Sequence, residues 1–338
     1  MYSINSDSQS ISSLSQSQEN TTNSSEEASE QNTAPLVSFG IPVYNADKEY
    51  LCELLDSLLT QDLQDLEVVI SDNASDNDTQ KICEEYASRD PRVRYHRNPK
   101  NIGQIANFNK VLELAHGKYF RWIGSDDWLE SDYARRCVEV LEAEDGKDFV
   151  GVTTYQDFIL DDGQHYYKEY KGERLDSPLT HVRIRRHLWF MNADFGYIDI
   201  IYTMMRREVL MRTSKIQFVP RMDQALAFEI DLLGPFTHIP ACLAHRRRLP
   251  FEKIPKKKLH EDYAGEQQEK LDDPFGFNST AALFSILMTS PISNWEKILC
   301  LWSLAGFAWV RITKKTYRQL LTTARSVKAL LLPKKENQ

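Results

Sequence analysis

Two adjacent acids, Asp126 and Asp127, close a run of aromatic and apolar residues at 119–123. Neighbouring carboxylates suit a hard divalent cation, which prefers oxygen ligands and keeps several waters. The same pair suits a helix start, where one acid caps free N–H groups and the next meets the positive end of the helix dipole. Three more polar groups stand in comparable places. Tyr44 and Asn45 follow the apolar run 36–43, and Asp72 follows 66–71 and opens a polar loop at 72–78. Asp223 opens a segment whose Leu226, Ile230 and Leu233 form one apolar face. Alone, Asp72 has the residue type of an Asx-turn, and Asp223 that of an acid favoured in a first helical turn. Arg246, Arg247 and Arg248 offer the forked donors that match phosphate oxygens. The run Lys256, Lys257, Lys258 reads as a solvated loop. The chain has no P-loop, no G-x-G-x-x-G and no G-x-S-x-G elbow, which argues against ATPase, dehydrogenase and hydrolase chemistry.

The elements that must hold these residues alternate. Apolar runs at 36–43 and 66–71 read as buried strands, and 93–96 and 119–123 as a third and a fourth strand. Between them lie helical patterns. Leu51, Leu54, Leu55, Leu58 and Leu59 recur at helical spacing, 79–88 and 107–115 follow suit, and a further helix runs from Trp128 to about 142. Alternating strands and helices imply a mostly parallel sheet with helices on both faces. Ligands of such sheets sit at the carboxyl ends of strands, where Tyr44, Asn45, Asp72, Asp126 and Asp127 all fall.

With 338 residues, 41% of them hydrophobic and 27% charged, the chain can form one large domain or two small ones. The formal net charge of −8 does not suit a nucleic-acid binder. Five cysteines without a C-x-x-C pair suggest neither a zinc ribbon nor a disulfide framework, and fit reduced thiols in the cytoplasm. Residues 1–34 are mostly Ser, Gln, Asn and Thr, with five acids and no Lys or Arg, and read as a disordered tail. They lack the basic and apolar regions of a signal peptide.

In order and spacing, VSFGIPVYN (37–45), EVVISDNASDNDT (67–79), NIGQIANFN (101–109) and GKYFRWIGSDDWL (117–129) resemble family 2 glycosyltransferases of the GT-A fold. MDQALAFEIDLLGPF (222–236) and HRRR (245–248) extend the resemblance to about residue 250. It implies a GT-A domain over 35–255: an α/β, mostly parallel sheet flanked by helices, with a helical C-terminal extension after a linker, over 256–338.

The resemblance also implies roles. Asp126 and Asp127 would hold Mg²⁺ or Mn²⁺, with Asp126 also touching the donor. Asp72 would accept a hydrogen bond from the nucleotide base, as a carboxylate can from a uracil or guanine N–H. Pro42, Tyr44 and Asn45 match first-strand nucleotide contacts, and Asn101, Gly103 and Asn109 match a donor-cleft segment. Asp223 would be the base that deprotonates the acceptor hydroxyl, with Glu229 as the alternative. The chain departs from the family in four places, one of them Met222 where a Glu usually precedes Asp223. The usual Asp-x-Asp-Asp is Gly124-Ser125-Asp126-Asp127, the Arg often found before Asn109 is Phe108, and a His often found after the basic run is Leu249. His245 is the remaining candidate for a third metal ligand.

Residues 281–290 and 295–312 are rich in apolar side chains, and Trp295, Trp302 and Trp309 repeat every seven residues. From Glu296 onward there are nine Lys or Arg against two Glu. Such a segment suits an anionic membrane surface. A helical pair covering the domain, or a homo-oligomer contact, is the alternative.

The expected activity is transfer of a sugar from a nucleotide-sugar donor to a glycan or lipid-linked hydroxyl, with inversion. The protein would be cytoplasmic, or peripheral on the cytoplasmic face of a membrane. Two rivals are a carbohydrate- or nucleotide-sugar-binding protein that has lost catalysis, and a sugar-phosphate nucleotidyltransferase. The second would carry a glycine-rich basic signature after the first strand, which residues 40–50 lack.

Overall fold

The computed structural model describes residues 34–160, 163–169, 172–193, 199–219, 221–248 and 277–331. The tail expected over 1–34 falls outside them except for Ala34, as does the lysine run at 256–258.

The first half forms as its periodicity dictates. Strand β1 (Val37–Val43) is almost wholly buried, and all seven residues of β2 (Leu66–Asp72) are buried. Helix α1 (Lys48–Leu59) starts where the Asp47 carboxylate accepts from the Tyr50 N–H, and buries Leu51, Leu54, Leu55 and Leu58. Next come α2 (Thr79–Arg89), β3 (Val93–Arg97), α3 (Gln104–Leu114) and β4 (Tyr119–Trp122). Helix α3 begins three residues before the apolar spacing suggests. Gly103, at φ 86°, makes the left-handed turn into it.

After β4 the expectation of a helix from Trp128 is not met. Trp128–Leu129 forms a short strand, β5, and helix α4 spans Tyr133–Glu142. The chain continues through β6 (Gly151–Leu160), β7 (His165–Lys168), α5 (Thr180–Ala193), β8 (Met204–Arg206), α6 (Arg207–Met211), α7 (Met222–Leu233) and β9 (Phe236–Arg248). Two helices close it, α8 (Phe277–Thr289) and α9 (Asn294–Leu331).

Nine strands make one sheet in the order β3-β2-β1-β4-β8-β6-β9-β5, with β7 on β6. Strands β3, β2, β1 and β4 are parallel, and β6 is parallel to β9. Strands β8, β5 and β7 pair antiparallel. The resulting fold is GT-A-like.

Apolar cores lie on both faces. One joins the sheet to α1, α2 and α4, and the other joins it to α3, α6 and α7. A third lies beyond α7, where Ala225, Phe228 and Leu232 meet Leu188 of α5, Leu283 of α8 and Leu304 of α9. Helix α7 is thus gripped on two sides, by the sheet through Leu226 and Ile230 and by the helical layer. A fully buried pair, His187 of α5 and Asp231 of α7, ties the same helices together. All five cysteines are free thiols.

Candidate active site

The loops after β1 and β2 lock each other. Asn45 takes a left-handed turn (φ 47°), its N–H donates to Ser75 Oγ at 2.9 Å, and its Oδ1 accepts from the Asp76 N–H at 2.9 Å. Tyr44, 45% exposed, therefore projects from the end of β1 beside half-buried Pro42.

Asp72 lies beneath these loops with no solvent access. Its Oδ1 accepts from the Ser75 N–H and hydroxyl at 2.9 and 2.6 Å. Its Oδ2 accepts from Tyr95 and Arg97 at 2.7 and 2.5 Å. Burial alone would raise this carboxyl, but the bonds from Ser75, Tyr95 and Arg97 outweigh it and hold it below the usual range. Arg97 also donates to the Ser75 carbonyl at 2.8 Å, so Asp72 fixes both the loop and a cation at its edge.

Asn101 Oδ1 accepts from Asn73 at 2.7 Å and from the Gly103 N–H at 2.8 Å, which joins the start of α3 to the same wall. Asn109 does not join it. Its amide exchanges two hydrogen bonds with the Ile216 backbone, at 2.9 and 3.0 Å, and ties α3 to the segment before α7. Asn107, not singled out from sequence, is the residue that staples the strand ends. It bonds the Ser71 carbonyl and hydroxyl at 2.8 and 2.7 Å and accepts from Asn98 at 3.0 Å.

The acidic pair does not cap a helix. It precedes β5, which pairs with β9 through Trp128 opposite His245. Continuing that register backward sets Asp127 beside Arg246 and Asp126 beside Arg247. Arg246 Nε lies 3.4 Å from Asp127 Oδ2. Arg247 donates to the Asp126 carbonyl at 2.8 Å and to Glu53 at 2.6 Å, packed between the rings of Tyr50 and Trp128. Asp126 is exposed, whereas Asp127 is 3% exposed. Burial raises the Asp127 carboxyl to about 7, against the pull of Arg246 and with a push from Asp126.

The two carboxylates converge over Gly124. A Cβ there would lie 2.8 Å from Asp126 Oδ1 and 3.1 Å from Asp127 Oδ2. The position where the family usually carries its first acid is thus the floor of the carboxylate pair. Among the described residues no group of three His, Cys, Asp or Glu is placed to hold a metal. His245 is engaged elsewhere, stacked on Trp128 and bonded to Glu130 and Asp157. Two carboxylates without a third ligand fit a hard cation completed by substrate phosphate and water, the usual mode for Mg²⁺. Gly124→Ala should spread the carboxylates and weaken Mn²⁺-dependent nucleotide binding about 10–100-fold, the range for residues that orient metal ligands. Titration calorimetry checks this, and unchanged affinity would show that the pair is not the site.

Arg246 also reaches the acceptor side. Its Nη1 donates to Asp199 at 3.1 Å, and its guanidinium lies 3.8 Å from the Tyr202 ring centre. Asp223 stands in the first turn of α7, after Arg221 in a left-handed conformation (φ 57°). It has solvent access, yet the protein packed around it and the charge of Asp199 raise its carboxyl above the usual value. The Tyr202 phenol is raised by burial and responds to Arg246, Asp199, Asp127 and Asp223 together, so these groups share one region. Glu229 lies apart, with Oε1 accepting from the Ser214 N–H and hydroxyl. Asp199 and Tyr202 carried no motif. The one sequence signal was an isolated acid inside the apolar run 198–202.

Residues 38–212 match the model for glycosyl transferase family 2. The chain is 38% identical over 232 residues to the chondroitin synthase of Escherichia coli, covering 67% of this chain but only 30% of that protein. An uncharacterized glycosyltransferase of Methanocaldococcus jannaschii is 28% identical over 234 residues, 68% of this chain and 78% of its own length. In fold, S. aureus TarS 1–349 in complex with UDP-GlcNAc superposes with a TM-score of 0.58 at 16% identity, over 82% of this chain and 73% of that one.

Proposed function

From a chain that belongs to glycosyl transferase family 2, we propose an enzyme that transfers a sugar from a nucleotide-sugar donor to a hydroxyl of a glycan or lipid-linked acceptor, with inversion. The observation that carries this reading is the β5–β9 register, which sets two acids beside two arginines. Arg246, through Asp199, reaches from there toward Asp223. The reaction would run on the cytoplasmic side, where nucleotide sugars are the activated form.

In this reading Tyr44 and Pro42 flank the base. Asp72 and Asn45 set that wall, and Asn101 and Gly103 set the turn into α3. Asp126 and Asp127 would hold Mg²⁺ or Mn²⁺, and the ion would supply positive charge to the leaving diphosphate. Arg246 and Arg247 add fixed positive charge beside the same acids. Asp223 takes the proton of the acceptor hydroxyl. The acceptor oxygen bonds to the anomeric carbon from the face opposite the diphosphate. The bond from that carbon to phosphate oxygen breaks, and its electron pair leaves with the nucleotide. Asn109 acts at a distance, by holding the segment before α7.

The test is a melting-temperature screen of UDP, GDP, dTDP and CMP with Mn²⁺. A nucleotide at one hundred times its Kd should stabilise the protein by about 2.7 kcal/mol. A flat response to all four would overturn the reading. Binding without hydrolysis or transfer of any matching nucleotide sugar would favour the lapsed binding protein.

A further inference from the structure

One row of side chains crosses three neighbouring strands on a single face of the sheet. Tyr166 of β7 pairs with Phe158 of β6, and Phe158 pairs with Arg246 of β9. Residues directly opposite one another share a face, and the contacts agree. The Tyr166 and Phe158 rings stand 6.4 Å apart, tilted at 42°. The Phe158 ring centre lies 5.3 Å from the Arg246 guanidinium. At Arg246 the row reaches the acceptor side, because Tyr202 packs on the same guanidinium and Asp199 accepts from it. Residues one step away in each strand, Asp157, Tyr167 and His245, take the opposite face. There Asp157 bonds His165 and His245, and the Tyr167 ring stacks on His165.

Burial changes sharply along the row. Phe158 is 5% exposed, whereas Tyr166 is 53% exposed. The inner ring is packed by protein, and the outer ring is open at the end of a surface that starts at Arg246. Strands lie about 4.8 Å apart, so the Tyr166 backbone stands roughly 10 Å from that of Arg246, two strands away. The candidate base, Asp223, groups with Arg246, Asp199 and Tyr202 at the inner end. A group that meets Tyr166 is therefore not the reacting sugar but a neighbour along the same acceptor. Tyr44, the aromatic of the nucleotide wall, ends β1, which β4 and β8 separate from β6, so Tyr166 does not serve the base. A pyranose suits the place. It has an apolar C–H face that an aromatic ring can cover and hydroxyls round its edge, and a tyrosine offers a flat apolar body with a polar tip.

We propose that Tyr166 is a platform for the acceptor glycan, on which the pyranose next to the reacting one stacks. This rests on the glycosyltransferase reading. The probes are cellotetraose, chitotetraose and mannotetraose, each beside its single sugar. They are titrated by saturation-transfer NMR against full-length protein with Mn²⁺ and the nucleotide that raises its melting temperature most. At least one tetrasaccharide should bind more tightly than its monosaccharide. Tyr166→Ser should weaken that tetrasaccharide about tenfold, the loss of one aromatic contact, and leave the monosaccharide unchanged. Tyr166→Phe should keep the parent's affinity, because the ring remains. Tyr167→Ser, one residue on but on the opposite face, should keep it too. All three variants should keep the melting shift with nucleotide. With that shift intact, three results would each overturn the platform and leave the enzyme reading standing: no tetrasaccharide advantage in the parent, unchanged binding by Tyr166→Ser, or an equal loss in Tyr167→Ser. A parent that answers no nucleotide would overturn both.

Discussion

Asp223→Asn should lower kcat for sugar transfer by about 10²–10⁴-fold, the usual contribution of a positioned base, with little change in donor Kd. The substitution keeps the shape and hydrogen-bonding size of the side chain and removes only the proton acceptor. Helix α7 is held by the sheet on one side and by α5, α8 and α9 on the other, so its first turn has little freedom to move. The carboxyl is raised by the surrounding protein and then by Asp199, which brings a base closer to the working pH. The acidic limb of the pH–rate profile should therefore lie above the ordinary carboxylate range in the parent and vanish in Asp223→Asn. Asp199→Asn should move that limb downward, because a like charge is gone. Quench-flow with saturating donor separates the chemical step from release. Near-normal transfer by Asp223→Asn would pass the role to water, since Glu229 is committed to Ser214.

The strand–helix units of the first half were legible because each buried face declares its own period. Leu51, Leu54, Leu55 and Leu58 cannot face one core in any conformation but a helix, and β2 is buried throughout. What local pattern could not supply was the partner of each segment. Asp126 and Asp127 fit both a helix cap and a ligand pair, and only the pairing of Trp128 with His245, far along the chain, decides that β5 is a strand. Asn107 and Asn109 illustrate a finer limit. They stand two residues apart on one helix and so face different directions. A motif match cannot tell that Asn107 staples the strand ends while Asn109 holds Ile216. Asp199 was silent because one acid in an apolar stretch has no period at all. The alternation of apolar and polar positions in α9 was compatible with packing and with a membrane alike. The structure uses one face for the core and leaves the other to solvent.

Asp127→Asn should abolish Mn²⁺-dependent nucleotide binding while leaving the fold intact, and the pH dependence of the parent should report the same carboxyl. Burial places Asp127 at about 7, against 3.8 for the free side chain. Below pH 7 the carboxyl carries a proton that a cation must displace. Metal-dependent donor affinity should therefore fall about tenfold for each unit below pH 7, one proton being released per ion bound. Stability without metal should run the other way. A carboxyl raised in the folded state favours folding when protonated, so its contribution is complete below about 4 and is lost as pH rises through about 7. An amide in its place cannot ionise, so the melting temperature of Asp127→Asn should gain on that of the parent between pH 5 and pH 8. Arg246 keeps its bond to Asp199 in the variant, which argues against a collapsed site as the cause of lost binding. Asp126→Asn is the paired control. Burial raises the Asp126 carboxyl too, so this variant should weaken metal-dependent binding and gain on the parent in the same direction as pH rises. If Asp127→Asn bound nucleotide with Mn²⁺ as tightly as the parent, the metal would have to lie elsewhere. The convergence of the two carboxylates over Gly124 would then serve only to balance Arg246.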